Sequence, residues 1–174
     1  MATISAAVDT FVGPLAVSSD GRSIVRLEWG TSAETADDSV LIPAEAAATE
    51  DPILAEAVAQ LRAYFDGRLG DFDLPVDFGK VSDIARTVLT TLAEVVPAGT
   101  TVTYGQIAEA SGTGIPARAV GGIMGLNPVP IIVPCHRVVS GSGLGGYSGG
   151  LPGHELETKR RLLELEDALP QPLF

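Results

Sequence analysis

The chain has 174 residues, with 11 Lys and Arg against 22 Asp and Glu, a formal net charge of −11, one Cys and two His. That length suits one domain or two small ones, and no apolar run approaches the ~20 residues of a membrane span, so a membrane protein is not expected. The start, Met1-Ala-Thr-Ile-Ser, has neither the basic opening nor the apolar core of a secretory signal, and a lone Cys excludes an internal disulfide framework and suits a reducing cytoplasm.

The acidity is uneven. Residues 1–79 carry 14 acids and 4 bases, residues 80–150 carry 3 and 4, and residues 151–174 carry 5 and 3. A strongly acidic chain is a poor candidate for gripping nucleic acid by charge alone. The second half is nearly neutral, however, and the acidic half reads as a solvated surface.

Phe11–Val17 and Ser23–Trp29 are rich in β-branched or aromatic residues and flank the turn signal Asp20-Gly21. They predict a β-hairpin, extended by strands near 3–8 and 39–42, with a loop at 30–38. Asp51-Pro52 reads as an N-cap followed by proline at the first helical position. Leu54, Val58, Leu61 and Phe65 then recur at helical spacing, which predicts an amphipathic helix over 52–66 that stops at Gly67. Gly70–Gly79 is a connector between two halves, with domains expected at 1–79 and 80–174.

Ser82 or Asp83 caps a helix reaching about Val95, with Ile84, Val88, Leu92 and Val95 on one face, ended by Pro97-Ala-Gly99. Thr103–Ser111 is a short helix, Gly112-Thr-Gly114 a turn, and Pro116–Met124 a second helix. Two short helices joined by a glycine turn read as helix-turn-helix. The second helix presents Ala117, Ala119, Gly121 and Gly122 with one charge, Arg118. A major-groove reader displays several polar side chains to base edges; small residues instead let the backbone come close to a narrow groove, or simply pack a core helix tightly. Glu155–Asp167 is a final helix bearing Leu156, Leu162, Leu163 and Leu165, and Pro170-Gln-Pro a loose tail.

Between these helices lies Pro134-Cys135-His136-Arg137-Val138-Val139, entered by an apolar run and left through the glycine-rich segment Gly141–Gly150. A lone Cys also reads as a small buried hydrophobe. An imidazole beside it offers a base to make the thiolate, which is the nucleophilic form. This hexapeptide resembles the active-site signature of the O6-alkylguanine-DNA alkyltransferases, the methylated-DNA–protein-cysteine methyltransferases. Tyr64-Phe-Asp-Gly67 followed by Phe72-Asp-Leu-Pro75 is similar to the helix exit of the same family. The resemblance covers roughly 52–167 and is dense from Tyr104 to Glu166.

The resemblance implies an α/β N-terminal half, a small antiparallel sheet plus helix, and a mostly α C-terminal half containing the helix-turn-helix. It implies a DNA repair reaction: Cys135 takes the alkyl group from O6-alkylguanine, with O4-alkylthymine as a secondary substrate, irreversibly and once per molecule, with no cofactor. The partner is double-stranded DNA bearing O6-alkylguanine, and the protein a cytoplasmic monomer. His136 takes the Cys135 proton through a water and Glu166 orients His136; read alone, Glu166 would be a solvated helix residue. Tyr104 helps rotate the nucleotide and donates to the leaving base. Arg118 fills the vacated space in the duplex, with Ala117, Ala119, Gly121 and Tyr104 on the DNA face. Asn127 braces the turn beside the site. Pro130, Tyr147 and Ser148 line the base pocket, and the carbonyls of Cys135 and Val138 accept from the guanine amine. Some family members hold a zinc in the N-terminal part; residues 1–134 contain no Cys or His, so no metal is expected.

The chain departs from the family pattern in four places. Trp and Phe are absent from 80–96, where the family's helix is aromatic. Pro152-Gly-His154 lengthens the approach to Lys159, the glycine loop before Tyr147 is short, and the helix-turn-helix has few cations, so the salt dependence of binding should be shallow. The competing readings are a non-catalytic alkyltransferase-like lesion binder, which Cys135 argues against; a cysteine hydrolase using Cys135, His136 and Glu166, which leaves the Arg118 helix without purpose; and a helix-turn-helix regulator, whose recognition helix would be too poor in side chains.

Overall fold

The computed structural model describes residues 3–30 and 39–169. Of the loop expected at 30–38 only Gly30 is among them, and the tail from Pro170 lies outside them. The N-terminal half is built on β1 (Thr3–Val8), β2 (Leu15–Ser19), β3 (Ile24–Trp29) and β4 (Ser39–Ile42), arranged β3-β2-β1-β4. The expected hairpin is β2–β3, closed by Asp20, whose Oδ1 accepts from the amides of Arg22 and Ser23 at 2.9 Å each. β1 pairs antiparallel to β2, but β4 pairs parallel to β1, so the sheet is mixed. The connector covers part of the β3 edge: the Ile24 amide donates to Pro75 at 2.8 Å.

A short helix, α1 (Ala47–Glu50), leads into α2 (Pro52–Phe65). Asp51 Oδ1 caps α2 by accepting from the amides of Ile53 and Leu54, both at 3.0 Å, while Pro52 has no amide proton to leave unpaired. Leu54, Ala57, Val58 and Leu61 are buried in the core the helix shares with the sheet, each leucine contributing roughly 2 kcal/mol by its removal from water. Gly67, at φ 77°, turns the chain away, and the Arg68 amide reaches back to Ala63 at 2.9 Å.

The C-terminal half is mostly helical: α3 (Asp83–Val95), β5 (Val102–Thr103), α4 (Tyr104–Ser111), α5 (Ala117–Met124), β6 (Val138–Val139) and α6 (Glu155–Leu165). Ser82 caps α3 through the Ala85 amide at 3.1 Å. Its buried face is Ala85, Val88, Leu89 and Leu92; Ile84 and Val95, expected inside, are 46% and 52% exposed. At 100° per residue those two sit at the margin of a stripe centred between Val88 and Ala85. A similar correction applies to α6, where Leu156 is 54% exposed and Thr158, Lys159, Leu162 and Leu163 face inward. Gly112 and Gly114, at φ 67° and 77°, make the turn between α4 and α5, giving the helix-turn-helix. One apolar core runs from Ala6 and Leu61 through Leu92 to Val138 and Leu162, so the two halves are packed on each other. No described helix is long and apolar enough to cross a membrane.

Candidate active site

Two tight turns deliver Cys135. At the first, Ile131 adopts φ 72°, rare for a β-branched residue, and the Ile132 amide donates to Pro130 at 2.9 Å. At the second, Pro134 (φ −83°, ψ 63°) lets the Cys135 amide donate to Val133 at 2.8 Å. The side chain of Asn127 clamps both: Oδ1 accepts from Val129 at 3.0 Å and Nδ2 donates to the Val133 carbonyl at 2.9 Å. Cys135–Arg137 then forms a single 3-10 turn that runs into β6. β6 pairs in parallel with β5, Val102 opposite Val138 and Thr103 opposite Val139, and the residue after β5 lines the same cleft as the cysteine. That residue is Tyr104, held at the first position of α4 by a reciprocal cap in which Thr103 accepts from Gln106 at 3.1 Å and Gln106 from Thr103 at 2.8 Å.

Cys135, 5% exposed, lies at a cleft of about 320 Å³ lined by Tyr104, Gly121, Met124, Gly125, Gly146, Tyr147 and Ser148. That size falls in the usual range for a small-molecule site. α5 gives Val120, Ile123 and Met124 to the core and leaves Ala117, Arg118, Gly121 and Gly122 exposed, with Gly121 in the cleft lining. Gly145, at φ 73°, must be glycine: a Cβ there would meet the Tyr104 hydroxyl at 2.9 Å. Two further clefts, about 240 Å³ beside Phe72 and Phe78 and about 470 Å³ beside β4, are lined by neither Cys nor His.

Behind the cysteine is a buried network centred on Glu166. Its Oε2 accepts from His136 Nε2 at 2.6 Å and from the Tyr64 hydroxyl at 2.5 Å, and its Oε1 accepts from Arg137 Nε at 2.8 Å. Arg137 also donates to Asp71 at 2.7 Å, to the Val96 carbonyl at 2.8 Å and to the Gly70 carbonyl at 3.2 Å. Burial works to raise the Glu166 pKa, but the bonds and charges of His136 and Arg137 outweigh it and hold the group at about 2. An ionised carboxylate only accepts, so His136 Nε2 carries the proton and Nδ1 keeps its lone pair in the neutral ring. Nδ1 is buried and has no protein partner among the described residues. Burial lowers the pKa of His136, so the ring is neutral near pH 7 and free to take a proton. Burial pushes the Cys135 thiol up to about 11, only partly offset by the Asn127 amide and the Lys159 charge. Lys159 itself is buried, donates to the carbonyls of Val138 at 2.6 Å and Gly146 at 2.8 Å, and is lowered by burial to about 8.

Of the residues singled out from the sequence, Cys135, Tyr104, Gly121, Tyr147 and Ser148 meet at one cleft, and His136 and Glu166 stand behind it. Ala117 and Arg118 are exposed on α5 and Ala119 is half-buried. Pro130 is buried outside the cleft lining, and the Val138 carbonyl is occupied by Lys159. Sequence reasoning missed Tyr64, Asp71 and Lys159. Tyr64 continues the apolar stripe of α2 at Leu61 plus three, and Lys159 the stripe of α6 at Leu162 minus three. A polar group on a buried stripe must find partners, and that was the available signal. Among the described residues no group of three or more His, Cys, Asp or Glu is arranged to hold a metal.

Residues 4–78 match the family described as 6-O-methylguanine DNA methyltransferase, ribonuclease-like domain, and residues 83–168 the corresponding DNA binding domain. The chain is 39% identical over 161 residues, 91% of its length and 89% of the relative's, to a methylated-DNA–protein-cysteine methyltransferase of Mycobacterium bovis. It is 38% identical to the human protein of that name over 151 residues, 83% of this chain and 73% of the human one. The crystal structure of a Mycobacterium tuberculosis relative in complex with DNA superposes with a TM-score of 0.78 at 36% identity, covering 95% of this chain and 93% of that one. The sequence matches, the shared fold and the buried cysteine with its His–Glu pair agree: the chain belongs to the methylated-DNA–protein-cysteine methyltransferase family.

Proposed function

We propose that this protein repairs DNA by moving the alkyl group of O6-alkylguanine onto Sγ of Cys135. The observation that carries the reading is a lone cysteine at a cleft between α5 and the 140–150 loop, backed by a neutral imidazole whose free nitrogen is buried. The resting sulfur is a thiol, with a thiolate fraction on the order of 10⁻⁴ at pH 7 for a pKa near 11. His136 Nδ1 takes its proton, through a water, as the sulfur attacks. The S–C bond forms, the C–O6 bond breaks, and the electron pair leaves on guanine, which is protonated with help from the Tyr104 hydroxyl. The thioether does not revert, so each molecule acts once. O4-alkylthymine is the secondary substrate.

The target carbon is inaccessible in a stacked duplex, so the nucleotide is extruded at a cost of a few kcal/mol. Arg118, exposed on α5, enters the space it leaves, and Ala117, Ala119 and Gly121 let the helix approach closely. Asn127 holds the cysteine turn, while Tyr147 and Ser148 wall the base; Pro130 acts from behind, through the turn it opens. The partner is duplex DNA carrying the lesion. Few cations face it, so backbone amides share the grip. The functional division is at 79/80, the protein works as a monomer, and a single free cysteine fits a cytoplasmic setting.

Incubation with a duplex carrying labelled O6-methylguanine tests the reading. One label per molecule, on Cys135, supports it. Turnover would point to a hydrolase, and binding without transfer to a lesion binder. Cys135→Ala is expected to abolish transfer and keep lesion binding. Arg118→Ala is expected to slow transfer from duplex more than from free O6-benzylguanine; equal slowing would remove the role given to Arg118.

A further inference from the structure

Glu166 stands where α6 ends. It is the C-cap residue, and Asp167 after it turns to φ 55°. The helix therefore does not fix the carboxylate; its donors do. Two of them, His136 and Arg137, come from the cysteine turn, and the third comes from the other half of the molecule. Tyr64, in the last turn of α2, is 1% exposed and donates its hydroxyl proton to Oε2, the same oxygen that takes His136 Nε2. Burial, then the nearby Glu166 charge, raises the Tyr64 pKa, so the phenol stays a donor at every working pH. Its ring is held separately, against Phe65 at 5.1 Å and Phe72 at 5.2 Å between centroids.

We propose that Tyr64 is a positioning residue of the alkyl-transfer site: its hydroxyl fixes Glu166 Oε2 and restrains how strongly that oxygen pulls on His136. The inference rests on the His136–Glu166 relay of the proposed function. A carboxylate oxygen that already accepts a phenol proton is a weaker partner for an imidazolium. The N-terminal half thereby helps keep His136 neutral and able to accept from Cys135. The charged groups acting on His136 are Glu166 and Lys159 from α6 and Arg137 from its own turn, where Cys135 is its neighbour in sequence; Tyr64 of α2 reaches it through Glu166 and Asp71 of the connector through Arg137. Removing the phenol proton leaves the attraction of Glu166 for a protonated His136 unshared, so the histidine should be easier to protonate.

Tyr64→Phe deletes the hydroxyl and keeps the packed ring. Single-turnover transfer from free O6-benzylguanine is measured from pH 5.5 to 9, with His136→Gln as a control on the relay. In parallel, the imidazole resonances are titrated in a Cys135→Ala background. The protein has only His136 and His154, so His154 serves as an internal reference. Tyr64→Phe is expected to lower the plateau rate about tenfold, the lower end of the loss on removing a hydrogen-bond partner that orients a working side chain. It is also expected to move the acid limb and the His136 titration upward by roughly half a unit, with His154 unmoved. A profile and titration that superimpose on the parent overturn the proposal while a slow His136→Gln leaves the relay standing. If His136→Gln is also as fast as the parent, the relay itself is wrong. Loss of the fold in Tyr64→Phe would overturn the proposal too, because the hydroxyl would then be structural.

Discussion

Glu166→Gln keeps the volume of the side chain and removes its charge. The native carboxylate is 2% exposed and accepts from His136, Tyr64 and two nitrogens of Arg137. A pKa of about 2 against an ordinary 4.5 makes the ionised form worth roughly 3 kcal/mol to the native state at neutral pH. The native state binds this proton less readily than the unfolded chain. Its contribution is therefore complete above pH ~4.5 and lost as pH falls toward 2, with about 2 kcal/mol gone by pH 3. The amide variant has no such titration. It also leaves the Arg137 guanidinium, itself 2% exposed, with only the half-exposed Asp71 as a counter-charge; breaking a buried pair in this way costs on the order of 3–5 kcal/mol. Urea unfolding, followed by the emission of Trp29, would be compared between parent and variant at pH 7, 5, 4 and 3. Other carboxylates cancel in the difference; His136 does not, because Glu166 supports its protonated form in the parent alone, so the variant loses more stability below pH ~6.5 and the narrowing from Glu166 is an upper value. The expected gap is several kcal/mol at pH 7, narrowing by at most about 2 kcal/mol at pH 3. A gap that is absent at pH 7, or constant with pH, refutes the network as drawn.

Gly145→Ala places a Cβ at φ 73° against the Tyr104 hydroxyl and the Ser140 amide; it should cost about 1–2 kcal/mol in thermal or urea unfolding and slow transfer, while Gly146→Ala, which meets nothing within 4 Å, should not change stability. Lys159→Met removes the donor to the Val138 and Gly146 carbonyls together with a charge that is costly to bury. Transfer should fall at least about tenfold with stability changed by only about 1–2 kcal/mol, and an unchanged single-turnover rate would show that the ammonium merely fills space. Asn127→Ala orphans the Val129 amide and the Val133 carbonyl and should cost about 2 kcal/mol in urea unfolding; it should also raise the Cys135 pKa further, read by the pH dependence of thiol alkylation.

Much of this architecture is legible in the sequence because local chemistry dictates it. Asp20-Gly21 closes a hairpin, Asp51-Pro52 starts a helix, and Gly112 and Gly114 break one from the next. Where sequence and structure part, the cause is tertiary. Spacing alone puts Ile84, Val88, Leu92 and Val95 on one face of α3, whereas the face packed inward is Ala85, Val88, Leu89 and Leu92, because the neighbouring elements and not the helix choose which side of the stripe is covered. Leucine spacing puts Leu156 on the inner stripe of α6, yet Lys159 occupies the inward place because the carbonyls of Val138 and Gly146 accept from its ammonium. No local signal tells that β4 runs parallel to β1, since pairing direction depends on the path of the intervening chain. At the site, Cys135 and His136 are adjacent in sequence and so were visible together. Tyr64 and Glu166 are partners across 102 residues, and only folding brings them together.

The depth of the sulfur has a consequence for survival in a cell. Under the proposed one-turn reaction, a molecule that works once is wasted by any stray electrophile that reaches it first. Cys135 meets such compounds as a protonated, recessed and therefore sluggish group. Discrimination then lies in the shape of the opening and the timing of deprotonation, and the nucleophile itself can remain mediocre until the right guest has closed over it.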